Sequence, residues 1–440
     1  MRMNRRAALA GGAAAAIVGT GVAGAQTPVR IRKGAGGLTA ASEDVAAFGE
    51  AVRIMKRRRD ALSWERQTQI HHRASQHNNG LFLPWHRHQL AHFERIVAKL
   101  TGHDAFAMPY WDWQEHRFLP EWMCDRDSPL YERERARGVE TLDFAAARWA
   151  ESPYTAKLAS DGFETFCGKL PEGAGMVEGY GHNHIHQLIG GAMRHPRTSA
   201  RDPMFWLHHS NVDRVWATWH RNRGKDLYPA DWTALTVGGF VDAEGRDVAD
   251  LPVGGTLETR PLGYDYDRLY PFPVFNVIEQ GPPGATRRIP MGGQSWTLRA
   301  DAARGGRISL TLPDDAVARM READDTLMIA GEGAVAYARE TALEDRSLEI
   351  RMTSGSRERT LGSSPTFVHI PEPGDGHHGH RGPYVLPFRF GEEVLNLLAA
   401  SEGPAAVTVF AEDLAPELAR ADARAAWIEL KLTLTETRWA

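Results

Sequence analysis

The sequence predicts an α+β multidomain chain. A mainly helical domain, built as a four-helix bundle, is followed by an antiparallel β-sandwich or barrel. Three observations carry this expectation. Apolar residues recur at helical spacing through residues 42–100. Histidines concentrate in a few of the helical segments. Beyond about residue 288 the pattern changes to strict alternation, the signature of half-buried strands. At 440 residues the chain is long enough for two domains, each with its own core.

Residues 1–25 read as an export address of the twin-arginine type. Arg5 and Arg6 precede a weakly apolar Ala/Gly-rich stretch from Ala7 to Val22, and Ala23-Gly24-Ala25 offers a cleavage site before Gln26. An ordinary secretory signal is the alternative. Either places the mature chain in the periplasm or outside the cell. Folding before export would let a metal site fill in the cytoplasm.

The helical domain follows. Val45, Phe48, Val52 and Met55 lie on one helical face, with Ser42 placed to cap the start. Proline is tolerated in the first turn of a helix, so a helix carrying His86 begins at about Pro84. Its apolar stripe runs through Leu90, Phe93, Ile96, Val97 and Leu100, and Gly102 closes it. Asn78-Asn79-Gly80 and Pro84 break the chain between His77 and His86. His77 therefore sits on a separate segment that can fold back beside His86. A further helix is expected from Tyr180 to Gly191, with His182 and His186 one turn apart on one face. Asp202-Pro203 marks the start of a fourth helix, running through His209, Asp213, Trp216 and Trp219.

After Tyr228 glycine and proline become frequent, and residues 229–287 read as a linker region. Period-two alternation then appears at Ile308, Leu310, Leu312; Leu348, Ile350, Met352; Val407, Val409; and Ile428 to Leu434. Residues 288–440 form the β-rich domain. The His377-His378-Gly379-His380 tract reads as an exposed polar loop, a weak candidate for metal capture.

Charge is nearly balanced, 52 basic against 56 acidic residues. That balance calls for neither nucleic acid nor an anionic membrane surface as partner. No apolar run after the N-terminus approaches the ~20 residues that span a bilayer. Cys124 and Cys167 allow one disulfide in an oxidising compartment, and two free thiols are equally compatible with the sequence.

The chemistry lies in the histidines. His71, His77, His86, His182, His186 and one of His208 and His209 make six imidazoles in two sets of three. Imidazole without thiolate or carboxylate suits copper, and less well zinc or nickel. Two adjacent three-histidine sites would hold a metal pair with one small molecule between them, which for copper is dioxygen. His71 and His72, like His208 and His209, are neighbours, so one of each pair faces the metal. His88 and His92 share the helix of His86 but are rotated away from it, and read as solvated or supporting. His184 should point away from His182 and His186. His103, His116, His195, His220 and His369 are isolated. Asp213, one turn after His209, could orient a ligand imidazole through its second nitrogen. Trp85, Phe205 and Trp206 are read as bundle core rather than walls of an apolar site.

The segment His77-x4-Phe82-Leu83-Pro84-Trp85-His86-Arg87-x2-Leu90-x3-Glu94 and the segment Asp202-Pro203-x-Phe205-Trp206-x2-His209-x3-Asp213 resemble the two copper signatures of the type 3 copper proteins, in the tyrosinase and polyphenol oxidase branch. Tyr110-Trp111-Asp112-Trp113 and Gly190-Gly191 also look like family landmarks. The resemblance covers residues 40–225 and implies a dicopper domain over residues 40–228. It places one copper on His71, His77 and His86 and the other on His182, His186 and His209. Val177-Glu178-Gly-Tyr-Gly-His182-Asn183 resembles a family element in which a glutamate and an asparagine hold a water that takes the phenol proton. Glu178 and Asn183 are thus the implied catalytic pair, and a carboxylate with an amide can orient a water as general base. Alternatively Glu178 is a helix-end carboxylate and Asn183 is exposed.

The implied activity is oxidation of small phenols with dioxygen. Monophenols would be hydroxylated to o-diphenols, and o-diphenols oxidised to o-quinones. A catechol oxidase without the hydroxylation step is the narrower alternative, and an oxygen carrier or a periplasmic copper-binding protein are the others. Two departures stand out. Many members join a cysteine to the ligand equivalent to His77, but here Ser75 stands two residues before it and residues 40–120 hold no cysteine. Gly181 replaces the usual proline before His182. Asp231-Trp232 and Leu262-Gly263-Tyr264-Asp265-Tyr266 resemble the linker of plant polyphenol oxidases, whose C-terminal domain covers the active site and is removed or displaced on activation.

Overall fold

A computed structural model describes residues 29–145, 162–171, 173–223, 228–270, 288–301, 307–322, 327–337, 346–365, 384–390, 392–413 and 427–439. Residues 1–25, read as an export address, the His377-His378-Gly379-His380 tract and His369 lie outside these residues.

The stretch read as helical, 42–100, is three helices. Helix α1 (Glu43–Arg57) buries Val45, Phe48, Val52 and Met55 as the spacing predicts. Ser42 occupies its N-cap, yet its hydroxyl does not cap; it accepts from the Thr39 amide at 3.0 Å instead. Glu43 and Asp44 place negative charge at that end. In α2 (Trp64–Ala74) the cap is real: Ser63 Oγ accepts from the Arg66 amide at 3.1 Å. Helix α3 (Phe82–Thr101) starts two residues before Pro84, which keeps the proline within the first turn, and Gly102 at φ 69° closes it.

The break between α2 and α3 is the expected Asn-Asn-Gly turn. Asn78 adopts a left-handed φ of 54°. Its carbonyl accepts from the Gly173 amide at 2.7 Å and its side-chain oxygen from the Ala174 amide at 3.0 Å. A π-helical turn (Glu178–His182) leads into α4 (Asn183–Ile189), and α5 spans Met204–Arg223. Asp202 caps α5 as predicted, accepting from the Met204 amide at 2.8 Å. Helix α3 packs against both α1 and α5 around an aromatic-rich core that includes Phe93, Trp206, Trp216 and Trp219.

Strand β1 (Arg30–Arg32) pairs in parallel with β2 (Tyr264–Tyr266), which ties the start of the described chain to the end of the helical part. Beyond it the described residues hold eight longer strands in two four-stranded antiparallel sheets. One holds β3 (Arg288–Asp301), β5 (Leu327–Tyr337), β8 (Tyr384–Phe390) and β10 (Trp427–Trp439), in the order β8-β5-β10-β3. The other holds β4 (Arg307–Thr311), β6 (Arg346–Ser354), β7 (Arg357–Pro365) and β9 (Ala405–Asp413), in the order β4-β9-β6-β7. The alternating residues point as their period requires: Leu310, Ile350, Met352 and Val407 are buried. Strand β7 runs alongside α4 and the π-helical turn before it, with Cα separations within 8 Å. Among the described residues, no helix is long and apolar enough to cross a membrane.

Candidate metal centre

Four helices, a π-helical turn and the segment before the Asn78 turn deliver the histidines. His71 lies in the last turn of α2, His77 just before the Asn78 turn, and His86 in the second turn of α3. His182 ends the π-helical turn, His186 follows one turn later in α4, and His209 sits in α5. All six are buried, none more than 2% exposed.

The rings converge in two groups. Ring nitrogens of His71, His77 and His86 all lie within 4.8 Å of one another, and the Nε2 atoms of His71 and His86 are 3.3 Å apart. In the second group His209 Nε2 lies 3.2 Å from His182 Nε2 and 3.3 Å from His186 Nε2. The two groups face each other. His86 and His209 stack at 4.4 Å between centroids, and His77 and His182 at 6.0 Å.

His208 also brings a ring nitrogen within 4.8 Å of His182 and His186. Two observations make His209 the better third member. Its Nε2 shares the 3.2–3.3 Å spacing of one common focus. His208 instead stacks flat on His182, at 5.3 Å and 15°. Parallel stacked rings do not converge their in-plane lone pairs on one point. The choice at the other pair is equally clear: His71 is fully buried with Nε2 toward His86, whereas His72 is partly exposed.

The opposite ring nitrogens are held by oxygens. His71 Nδ1 lies 2.6 Å from the Pro196 carbonyl, His86 Nδ1 2.8 Å from the Phe82 carbonyl, and His186 Nδ1 2.7 Å from the Met193 carbonyl. His182 Nδ1 lies 2.9 Å from Asn183 Oδ1, and His77 Nδ1 3.2 Å from Ser75 Oγ. A carbonyl only accepts, so it fixes the proton on Nδ1 and leaves the Nε2 lone pair free to face a metal. His209 differs: its Nδ1 is buried with no hydrogen-bond partner. Packing holds that ring instead, between His86 at 4.4 Å and Phe205 at 4.2 Å.

Burial sets the charge state. It pushes the His86 imidazole down to about 3. Burial, reinforced by neighbouring imidazoles, holds His182, His186 and His209 well below the ordinary histidine value. These four rings are therefore neutral donors at physiological pH. Three imidazole nitrogens per group, with no carboxylate or thiolate among them, fit a soft or borderline ion: His71, His77 and His86 could hold one, and His182 and His186 with His208 or His209 another.

Glu178 and Asn183 are both at the centre. Glu178 is buried, and its Oε1 accepts from the Asn78 amide, the residue after His77, at 2.7 Å. Its Oε2 is buried with no hydrogen-bond partner. Burial pushes this carboxyl up to about 8. Asn183 is buried and presents its Oδ1 to His182, so neither residue is an exposed helix-end group.

Several expectations are corrected. Asp213 touches no imidazole. Its carboxylate accepts from Arg87 Nε, from Arg32 at 2.9 Å, from Tyr264 at 2.6 Å and from Tyr266 at 2.5 Å. Its place one turn after His209 puts it behind the metal ligands, in a buried ionic cluster. His88 is not solvated: it is buried, and it lies with His92 beneath Phe240. Phe205 is more than bundle core, because its ring lies 4.7 Å from His71 and 4.2 Å from His209. Trp85 borders His71 and His86 at 5.9 and 4.8 Å, whereas Trp206 stacks on Phe93 in the core. Phe82 was missed as a lining residue: it lies 4.7 Å from both His86 and His182. Its place one turn before His86 was the available signal. Cys124 and Cys167 are free thiols, the latter buried.

Comparison with known proteins agrees with this geometry. The model of the common central domain of tyrosinase matches residues 61–138 and 126–222. Tyrosinase HcTyr1 of Hahella sp. (strain CCB-MM4) is 31% identical over 275 residues, 53% of this chain and 58% of that protein. A chloroplastic polyphenol oxidase of Malus domestica is 32% identical over 226 residues, 43% of this chain and 38% of that protein. The matched region thus spans between about two fifths and three fifths of these relatives. Among solved structures, latent apple tyrosinase superposes with a TM-score of 0.61 at 20% identity, over 94% of this chain and 98% of that one, which shows the fold. The two histidine groups lie within the matched residues, so this stretch of the chain is a tyrosinase-type central domain.

Proposed function

We propose that this chain is a copper-dependent phenol oxidase. His71, His77 and His86 would hold one copper, and His182, His186 and His209 the other. The observation that carries this reading is the pair of facing histidine triads, five of whose six Nδ1 atoms lie against oxygens. Two copper ions held there would supply the redox chemistry by which dioxygen oxidises a phenol.

The protein's own part is geometric and acid–base. The carbonyls of Pro196, Phe82 and Met193 lock three ligand rings and hold their protons away from the metal side. Phe82 and Phe205 keep water from the space between the triads and offer flat apolar walls to an aromatic ring. Glu178 is the group that can move a proton. One oxygen is fixed by the Asn78 amide, and the other is free to hold a water or take a phenol's proton through it. A carboxyl raised to about 8 is well matched to a base working near neutral pH. Asn183, anchored on His182, is the second holder of that water. This pair favours hydroxylation of monophenols in addition to diphenol oxidation. Oxygen uptake by the copper-loaded chain tests it: uptake with a catechol and none with a monophenol reduces the assignment to catechol oxidase. Reversible dioxygen binding without turnover would make it a carrier.

The domain reading belongs to the same proposal. Residues 40–228 form the copper domain, 229–287 the linker and 288–440 a β-sandwich domain that covers the site. The approach of β7 to α4 supports such a cover. Limited proteolysis near residues 270–290 should then raise activity. The Arg5-Arg6 segment supports export through the twin-arginine route.

A further inference from the structure

We infer that Ser75 is a positioning residue for His77 and thereby sets the affinity of one copper site alone. The inference rests on the dicopper reading. Ser75 is the C-cap of α2, and its amide donates to the His71 carbonyl at 3.1 Å. Its hydroxyl lies 3.2 Å from His77 Nδ1. One residue thus links two members of the first triad, His71 through the backbone and His77 through the side chain.

Why His77 needs this link follows from its location. His71 and His86 sit in helices, where the backbone fixes the direction of the ring. His77 lies between α2 and the Asn78 turn, outside any helix. Backbone contacts at Asn78, to Gly173 and Glu178, hold the chain after it. Ser75 holds the ring itself. With Oγ accepting from Nδ1–H, His77 Nε2 keeps its lone pair for the metal. No residue of the second triad touches Ser75 in this way, since His182 and His186 take their acceptors from Asn183 and Met193. The effect should therefore fall on the first site only.

The test is copper affinity by chelator competition on the full chain, for the parent, Ser75→Ala and Ser75→Thr. Partners of ligand imidazoles typically change metal affinity by roughly 10–100-fold. S75A should weaken one copper of the two by about that factor and leave the other at the parent value. The singly loaded form should show the paramagnetic resonance signal of an isolated copper(II), which a coupled pair lacks. S75T keeps the hydroxyl and should restore both affinities. Ser75 caps a helix end in extended backbone and is half-buried, so alanine leaves the fold intact. Equal weakening of both coppers, unchanged affinities in S75A, or an S75T that behaves like S75A would each overturn the inference. A parent chain that binds fewer than two coppers would instead refute the dicopper reading.

Discussion

Replacing Asp213 by asparagine separates a structural role from a role in metal orientation. The Asp213 carboxylate is 3% exposed and lies against two buried guanidinium groups, Arg87 and Arg32. These cations, with hydroxyl hydrogen bonds from Tyr264 and Tyr266, hold its carboxyl below the ordinary value despite burial. Asparagine removes the negative charge and keeps the shape. Arg32 retains Glu94 at 2.7 Å, so it stays paired. Arg87 is left with the carbonyls of Thr256, Leu257 and residue 213 itself, at 2.7, 3.1 and 3.3 Å, and with no carboxylate. Breaking a buried pair on one side typically costs about 3–5 kcal/mol. Against a total stability of roughly 5–15 kcal/mol, that is a large fraction. Urea unfolding of metal-free parent and D213N should show a loss in this range. The folded variant should bind copper with parent affinity, because the carboxylate touches no ligand ring. A loss below about 1 kcal/mol, the size of an exposed pair, would refute the electrostatic reasoning. Lower copper affinity at unchanged stability would restore Asp213 as an imidazole-orienting group.

Other consequences can be measured in the same way. Glu178→Gln should abolish most monophenol hydroxylation while diphenol oxidation persists, and a variant as fast as the parent removes the base role. If the ionised form of Glu178 acts, hydroxylation in the parent should rise with pH, with a midpoint at or below about 8, since bound copper(II) favours the carboxylate. The linkage sign for stability is opposite. A carboxyl raised in the folded state stabilises most below its unfolded value and loses that contribution as pH rises through the folded one. The Glu178 contribution should therefore fall between about pH 4.5 and 8, read as the stability difference between metal-free parent and E178Q at each pH, because the depressed imidazoles common to both chains push the other way. Gly191→Ala should disturb the second triad: a Cβ there would lie 2.0 Å from the Glu134 carbonyl, at a φ of 56°. Displacing that turn moves Met193, whose carbonyl holds His186. Copper affinity at the second site should fall by roughly 10–100-fold, and an unchanged second site would refute the link.

Local rules made much of this molecule legible. The asparagine-glycine turn and Pro84 placed His77 off the helix of His86, because turn chemistry acts over a few residues. The four-residue spacing of His182 and His186 put them on one face for the same reason. What could not be read was set by distant partners. Whether Asp213 meets an imidazole or two arginines depends on β1 and β2, and those strands come from opposite ends of the helical part. The angle of His88 on α3 left solvated and supporting readings open, and Phe240, from the chain beyond α5, covers that face. The Nδ1 acceptors were hidden because three are backbone carbonyls, which any residue supplies. In the β-rich part, alternation found the strands with clean period-two faces. It missed β3, β5, β7 and β8; Gly292, Gly293, Gly331, Gly333 and Gly362 dilute the pattern in the first three, and Pro387 interrupts it in β8.

Copper stoichiometry with site-resolved loss tests the central claim most directly. The full chain should bind two copper ions, and His86→Ala or His186→Ala should each leave one, in different sites distinguishable by whether S75A weakens the remaining ion. A parent that binds one copper, or two that survive both substitutions, would contradict the pair of three-histidine sites.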